Sequence, residues 1–294
     1  MTASRTEALH HEAKGLDTRP LPEAARILAE GQIAAATAVL AATTEIAAAA
    51  KAIANTLRSG GRLHYVAAGS SGLMAAADAQ ELGGTFSIPP AQLSIHMAGG
   101  LPTGVEMPGD TEDDTASLET ALANLTEQDA IIAVSASGTT PYTLKAAEIA
   151  RAKGATIIAI ANNPGTALLT AADHPICLPT PPEVLQGSTR MGAGTAQKIA
   201  LNMLSTLAAI ELGHVHDGMM VNLYADNIKL RARAAGMVAE IAGVDTSVAE
   251  AALQSTDGQV KPAVLAARGL TPQAAQTLLT ETENNLRAAL ARLN

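Results

Sequence analysis

The chain has 294 residues, of which 48% are apolar, and a net charge of −9. A chain of this size can bury a substantial core, and its lack of a basic cluster argues against a nucleic-acid surface. The single cysteine, Cys177, excludes an intramolecular disulfide framework. Residues 1–20 are polar and no stretch of 18 apolar residues is free of charge. We therefore expect a cytoplasmic protein with neither a signal peptide nor a membrane span.

The first predicted element in chain order is a long helix over residues 21–57, in which alanine, isoleucine and leucine recur at helical spacing. Such a segment is longer than a simple crossover between two strands requires. We expect it to pack on a partner subunit or across a sheet.

Five short apolar runs follow this helix, each bounded by glycine, proline, asparagine or serine. Such runs are typical of buried strands, and they lie at residues 63–68, 93–97, 130–135, 156–161 and 174–178. Helical patterns separate or follow them, most clearly at residues 73–82, 142–153 and 199–212. This alternation predicts an α/β fold in which a parallel sheet carries helices on both faces.

The composition changes at residue 230, after which short helical segments alternate with turns that contain glycine. Thr271 followed by Pro272 matches the start signal of a helix. We predict two domains: a sheet domain with an N-terminal helical arm over residues 1–236, and a small all-helical domain over residues 237–294.

Three loops rich in glycine, serine and threonine each precede a helical pattern: loop 1 (residues 69–72), loop 2 (residues 135–141) and loop 3 (residues 187–198). Such a loop offers hydroxyls, unpaired backbone N–H groups and the positive end of a helix dipole, which together suit an anion. Loops 1 and 2 directly follow predicted strands, and parallel sheets bind ligands beyond the carboxyl ends of their strands. No loop has the spacing of a nucleotide-binding motif. The sequence therefore predicts one pocket for a small phosphate compound.

The histidine pattern predicts no metal site. His214 and His216 stand two residues apart, but no acidic residue or cysteine lies at metal-ligand spacing from them.

Loop 3 and the helix after it carry a resemblance to a known family. They read Gly187-Ser-Thr-Arg-Met-Gly-Ala-Gly-Thr-Ala-Gln-Lys-Ile-Ala-Leu-Asn-Met-Leu-Ser-Thr206. Further segments match the same family in order: Thr6-Glu7 with Leu16-Asp17, residues 78–81, residues 111–113, residues 136–138 with residues 140–142, and Asn163-Pro164-Gly165. From Thr6 into the helical tail, the chain resembles the N-acetylmuramic acid 6-phosphate etherases, which are built on the sugar isomerase (SIS) phosphosugar-binding domain.

The resemblance implies a three-layer αβα SIS domain with a five-stranded parallel sheet, followed by a small UBA-like helical domain. It also implies a lyase that cleaves the D-lactyl ether of N-acetylmuramic acid 6-phosphate by elimination and then hydration. The products are N-acetylglucosamine 6-phosphate and D-lactate, as in amino-sugar recycling. The resemblance implies no metal and no cofactor. The position of Glu81 along its helix, described below, leads us to expect an obligate homodimer with its active site at or near the subunit interface.

The family's catalytic carboxylates match Glu81 and Glu112. By that match, Glu112 removes the C2 proton, and Glu81 protonates lactate and later delivers water. From the pattern alone, Glu112 lies in an acidic cluster of the kind that forms a solvated first turn of a helix. Glu81 lies in an alanine-rich helix, where an isolated acid more often faces solvent.

The candidate binding residues come from the three loops. Those of loops 1 and 2 are expected to hold the phosphate, and those of loop 3 to close over the sugar, with an arginine fork for the phosphate or the lactyl carboxylate. They are Gly69, Ser70, Ser71, Gly72, Ser137, Gly138, Thr140, Ser188, Thr189 and Arg190.

Helix geometry separates Glu81 from the phosphate loop. If the helix after loop 1 is continuous, Glu81 lies about 13 to 15 Å along its axis from Ser71, at a rise of about 1.5 Å per residue. A hexose phosphate is shorter than this. We therefore expect Glu81 to serve the site of a neighbouring subunit.

The chain departs from the family pattern at a few positions. The family has arginine at Thr139, lysine at Gly192, two prolines at Gly83-Gly84 and asparagine at His10.

Two other interpretations of the sequence stay open: an aldose–ketose isomerase of a sugar 6-phosphate, and a non-catalytic sugar-phosphate sensor resembling the glucokinase regulator. Neither alternative needs Glu81 as an acid.

Overall fold

The computed structural model describes residues 5–109, 111–223, 225 and 227–293. This part of the chain divides into two compact units. The first comprises Met1–Gln80 with Ala91–Ser205, and the second comprises Glu81–Pro90 with Thr206–Asn294.

The sheet of the first unit has five strands in the order β2-β1-β3-β4-β5, and all of its pairings are parallel. The strands are β1 Leu63–Ala67, β2 Leu93–Met97, β3 Ala130–Ser135, β4 Thr156–Ala161 and β5 His174–Cys177. The predicted five-stranded parallel sheet is confirmed, although β1 and β5 each end one residue earlier than the apolar runs indicate.

The helices that begin in this unit flank the sheet. They are α1 Leu21–Ala38, α2 Thr43–Arg58, α3 Gly69–Phe86, α4 Leu118–Ala121, α5 Pro141–Lys153, α6 Ala167–Thr170 and α7 Gly192–Glu211. Helices α3 and α7 begin four and seven residues before the predicted patterns at residues 73 and 199. Their first turns consist of glycine, serine, threonine and alanine, which carry no large apolar residue, so the hydrophobic period begins only after them.

The core of the sheet forms because β3 and β4 are apolar on both faces, as strands covered on two sides must be. Every residue of β3 is buried. On one face, Ile131, Ala133 and Ile157 pack in a single cluster with Leu118 of α4 and Ala146 of α5. Because all five strands run parallel, their carboxyl ends lie at one edge of the sheet, where loops 1 and 2 are found.

The predicted N-terminal helix is two helices joined by a 3-10 turn at Val39–Ala42. Helix α2 buries Ile46, Ala49 and Ile53 and contacts β1 and β5. By length and composition, Leu21–Arg58 is apolar enough to cross a membrane, and 33% of its most apolar 18-residue stretch is buried. The packing of α2 on the sheet is what a core helix shows.

The second unit holds a β-hairpin and the helical tail. The hairpin pairs β6 Val215–His216 with β7 Met219–Met220 through Asp217 and Gly218, whose positive φ values of 46° and 77° suit a two-residue turn. The tail helices are α8 Ile228–Ala242, α9 Thr246–Ser255, α10 Val260–Ala267, α11 Pro272–Glu281 and α12 Leu286–Ala291. The predicted domain boundary at residues 236 and 237 lies inside α8 and stays a prediction.

The helical tail has its own core, in which α10 packs against α8, α9 and α11. Val238, Ala249 and Val264 are fully buried there. Thr271 caps α11 as its position before Pro272 predicts, because its hydroxyl accepts a hydrogen bond from Ala274 N at 3.2 Å.

Candidate functional site

Loop 1 forms the first turn of α3 at the carboxyl end of β1. Gly69 has a φ of +52°, which favours glycine because other residues carry a Cβ that strains this region. The amides of Ser70 and Ser71 lie in the first helical turn, where N–H groups have no intrahelical acceptor. Ser70 is half-buried and Ser71 is buried. Loop 1 therefore has the donors that an anion needs.

Glu112 lies between loops 1 and 2. Its carbonyl oxygen accepts a hydrogen bond from Tyr142 N at 3.1 Å, at the start of α5. Its carboxylate lies against Gly69, because a Cβ added at Gly69 would stand only 2.8 Å from Glu112 Oε1. Helix α4 begins six residues later, at Leu118, so Glu112 does not belong to the first turn of a helix. The structure thus brings an exposed carboxylate onto the predicted phosphate loop.

Loop 2 gathers hydroxyl groups at the carboxyl end of β3. Thr140 Oγ1 lies 2.8 Å from Ser135 Oγ and 3.5 Å from Ser137 Oγ. Ser137 Oγ also accepts from the amide and the hydroxyl of Thr139, at 3.2 and 3.1 Å. Ser135, which accepts from Gly138 N at 3.0 Å, lies within the predicted loop 2 but is not among the candidate binding residues, because it is also the last residue of a predicted strand.

The turn of loop 2 is held by close contacts from the segment between β4 and α6. Gly138 has a φ of +71°, and a Cβ added there would stand 2.3 Å from Thr166 Oγ1 and 2.6 Å from Thr166 Cβ. Asn163 Nδ2 donates to the carbonyls of Ala136 and Ser137 at 3.2 and 3.3 Å. Only glycine fits at position 138, and the backbone of the loop is fixed on both sides.

Loop 3 differs from the prediction in one important respect. The amides of Gly192 and Ala193, which open α7, donate to the two carboxylate oxygens of Glu183 at 2.9 and 2.8 Å. Glu183 is only 5% exposed. The anion that the start of α7 attracts is therefore supplied by the chain itself, and the prediction of free N–H groups at this helix is wrong.

The rest of loop 3 leaves its functional groups accessible. Ser188 and Thr189 are half-buried and Arg190 is exposed. Among the residues that the structure describes, the side chains of these three form no hydrogen bond or ion pair with the protein. They are available to a ligand.

The N-terminal turn Arg5–Glu7 ties loops 2 and 3 together. Asn163 Nδ2 donates to Thr6 Oγ1 at 3.1 Å, and Gln186 Nε2 donates to the carbonyl of Glu7 at 2.8 Å. A third link comes from Gln197 of α7, which donates to Asn162 Oδ1 at 2.9 Å. Together with Glu112, these contacts bring the three loops to one edge of the sheet.

Glu81 lies further along α3. The helix is continuous from Gly69 to Phe86 and runs through Gly83 and Gly84. Ten residues separate Ser71 from Glu81, which corresponds to about 15 Å along the axis. Glu81 is exposed and belongs to the second unit.

The residues in the described ranges contain no group of three or more histidine, cysteine, aspartate or glutamate side chains that could hold a metal ion. His214 is buried, and this burial, with a smaller effect of Lys261, lowers its pKa to about 3.

Comparison with known proteins gives consistent matches. The SIS domain family model matches residues 106–212. An N-acetylmuramic acid 6-phosphate etherase of Deinococcus radiodurans is 43% identical over 263 residues, which are 89% of this chain and 86% of the relative. A protein of the same name from Streptomyces avermitilis is 42% identical over 290 residues, or 97% of this chain and 93% of the relative.

One solved structure supports the fold alone. A protein of E. coli CFT073, solved in complex with a ligand, superposes with a TM-score of 0.53 at 16% identity. The match covers 67% of this chain and 94% of that protein.

Proposed function

Because this chain belongs to the N-acetylmuramic acid 6-phosphate etherase family, we propose that it cleaves the D-lactyl ether of N-acetylmuramic acid 6-phosphate. The products are N-acetylglucosamine 6-phosphate and D-lactate. The observation that carries the proposal is the position of the Glu112 carboxylate against Gly69, between the two hydroxyl-rich loops. A carboxylate beside a phosphate loop is what a base needs to reach a carbon of a bound sugar phosphate.

Binding uses the groups that the loops leave available. The phosphate is held by the first-turn amides of α3 with the hydroxyls of Ser70, Ser71, Ser137 and Thr140, since such groups fit its oxygens without a cation. Gly72 and Gly138 leave room for the side chains of Met97 and Thr166, which pack against the two loops. Ser188 and Thr189 close over the sugar, and the fork of Arg190 takes the lactyl carboxylate or the phosphate.

The chemistry follows from the acidity of the C2 proton next to the aldehyde of the open-chain sugar. Glu112 removes this proton, the C2–H electrons form a C2–C3 double bond, and the C3–O bond breaks. Glu81 gives its proton to the departing lactate oxygen, then takes one from the water that adds at C3, while Glu112 returns a proton to C2. The proton transfers balance if Glu112 starts ionised and Glu81 starts protonated, and they require no metal or cofactor.

Two lines of support favour a homodimer that shares its sites. Glu81 lies about 15 Å along α3 from Ser71, a separation longer than the sugar. In addition, α1 and the turn after it expose Leu21, Ile33 and Leu40, which a second copy of the chain would cover. We place this dimer in the cytoplasm, where a soluble sugar phosphate is available.

The first test is D-lactate release from N-acetylmuramic acid 6-phosphate by the purified protein. Glu112→Gln and Glu81→Gln should each lower kcat by about 10²- to 10⁴-fold, as loss of a general base or acid does. Glu119→Gln is the matched control, since Glu119 is an exposed glutamate of α4 that pairs with Lys145. If wild type releases no lactate but a hexose 6-phosphate raises its Tm, the site belongs to an isomerase or a sensor instead.

Mixed dimers test the sharing of sites. If Glu81 and Glu112 of one site come from different chains, a mixture of Glu81→Gln and Glu112→Gln chains should recover about a quarter of wild-type activity, because half the dimers carry one intact site. Separate chains refolded alone are the control. A mixture without recovered activity would exclude the shared site.

A further inference from the structure

A buried carboxylate on α3 takes no part in the proposed chemistry. Asp78 is 4% exposed and lies in an alanine-rich stretch of the helix. Its Oδ1 accepts hydrogen bonds from Asn202 Nδ2 at 2.8 Å and from Ser205 Oγ at 2.9 Å. Its Oδ2 accepts from the Tyr65 hydroxyl at 3.0 Å. One carboxylate thus joins β1, α3 and α7.

This arrangement is unfavourable for packing alone. A carboxylate loses its hydration when buried, and apolar residues of similar volume would fill the same space without that loss. Hydrogen bonds differ from apolar contacts because they tolerate only a narrow range of distance and angle. Three of them on one side chain therefore fix how far α3 slides along α7 and how it rotates.

The position of the network along the two helices relates it to the ligand site. Asp78 lies nine residues after Gly69, and Asn202 lies ten residues after Gly192. At about 1.5 Å per residue, both are about 14 to 15 Å from the first residues of their helices. The hydrogen bonds of Asp78 therefore join α3 and α7 at similar distances from the two helix starts, which belong to loop 1 and loop 3.

We propose that Asp78 is a positioning residue that sets the spacing between loop 1 and loop 3 through its hydrogen bonds to Tyr65, Asn202 and Ser205. The proposal rests on the proposed function only in taking a sugar phosphate as the ligand of these loops. Asp78 touches no substrate. It keeps the phosphate donors of α3 and the sugar-facing residues after Gly187 at the separation that one ligand spans.

The chain offers a matched control. Asp129 is also buried, at 5% exposure, and its carboxylate also accepts hydrogen bonds, from Arg62 N at 2.8 Å and from the amide and hydroxyl of Thr126 at 2.8 and 2.9 Å. It precedes β3, at the amino edge of the sheet and away from the loops. Asp129→Asn should therefore destabilise the fold without changing the site.

The test compares Asp78→Asn with Asp129→Asn, using Tyr65→Phe as a milder change that removes one donor. Three quantities are measured: the Tm, the hydrogen exchange of amides at residues 69–72 and 187–194 in the free protein, and kcat and KM below the Tm. In Asp78→Asn we expect exchange at both loops to rise by about tenfold and KM to rise by a similar factor, since a hydrogen bond to a charged group is lost. Tyr65→Phe should also raise loop exchange and KM, but by a smaller factor than Asp78→Asn.

Asp129→Asn should lower the Tm while leaving loop exchange and KM at wild-type values. The proposal is overturned if Asp78→Asn, or Tyr65→Phe where Asp78→Asn does not fold, lowers the Tm but leaves loop exchange unchanged. The exchange measurement needs no turnover. A wild-type protein that releases no lactate would therefore refute the etherase proposal and still leave this one tested.

Discussion

Replacing Gly69 by alanine should damage catalysis much more than folding. The new Cβ would stand 2.8 Å from Glu112 Oε1, whereas ordinary contacts begin at 3.4 Å. The carboxylate oxygen must therefore move by about 0.6 Å to restore contact distance. Because a side-chain end can move in this way at small energetic expense, the folding penalty is mainly that of the positive φ of +52°, about 1 to 2 kcal/mol.

The effect on the reaction is larger because a displaced base no longer meets its proton in line. Misplacement of a reacting group by about 1 Å can lower a rate by about 10²-fold, so a shift of about 0.6 Å should lower kcat by about 10- to 100-fold. The penalty in stability should lower the Tm by only about 2 to 8 °C. Lactate release and thermal melting of the same preparations measure both effects.

Gly60→Ala separates the two contributions. Gly60 has a φ of +83°, and a Cβ added there meets nothing within 4 Å, so this variant carries the backbone strain without the contact. It should lose stability like Gly69→Ala and keep the wild-type kcat. The reasoning fails if Gly69→Ala retains the kcat of Gly60→Ala, because Glu112 would then not depend on the open space above Gly69.

Three further predictions concern buried ionisable groups. Glu183→Gln should lower the free energy of unfolding by about 1 to 3 kcal/mol, because the amides of Gly192 and Ala193 would no longer donate to a charged acceptor. Chemical unfolding measures this change, with the exposed Glu127→Gln as control. Burial lowers the pKa of His64, and burial together with His64 lowers the pKa of His96 to about 4. The unfolded chain then binds protons below about pH 6.5 that the folded chain excludes, so stability falls toward pH 4, and less steeply in a His64→Gln/His96→Gln variant. Burial lowers the pKa of Lys261 from 10.5 to about 7. Its contribution to stability should therefore rise from pH 7 to pH 10, and Lys261→Met should abolish that rise.

Each of these has a contrary outcome. A Glu183→Gln variant as stable as wild type would mean that amide capping of α7 needs no charge. Parallel acid-unfolding curves for wild type and the histidine variant would place the acid sensitivity elsewhere. If the free energy of unfolding of wild type does not change above pH 7, as in Lys261→Met, the amine of Lys261 keeps its ordinary pKa in the folded protein.

The sheet could be predicted because its strands are buried on both faces. Runs such as residues 130–135 and 156–161 have no polar alternation, and their only boundaries are the turn residues beside them. The short helices α4 and α6 escaped prediction because four residues are too few to show a helical period. The early starts of α3 and α7 escaped it because their first turns lack large apolar residues.

The site was predictable as a set of loops but not as a geometry. Loops 1 and 2 lie where the carboxyl ends of parallel strands must bring them. The contact of Glu112 with Gly69 depends on the fold of the segment between β2 and α4, where Gly99 lies against Pro108 and Thr111. Glu183 lies nine and ten residues before the two amides it binds, in a proline-containing stretch that shows no helical or strand periodicity. No local pattern encodes either contact.

The close approach of loop 2 to the start of α6 limits how this protein can evolve. A side chain at position 138 would collide with the Cβ of Thr166 as well as with its hydroxyl, so shortening Thr166 to alanine would not make room. Only a second glycine at position 166 would relieve the collision, and it would remove the side chain from the residue that precedes α6. That substitution would still leave the φ of +71° at position 138 to be adopted by a residue with a Cβ, so lineages that keep the phosphate loop are expected to keep Gly138 while the surrounding surface changes.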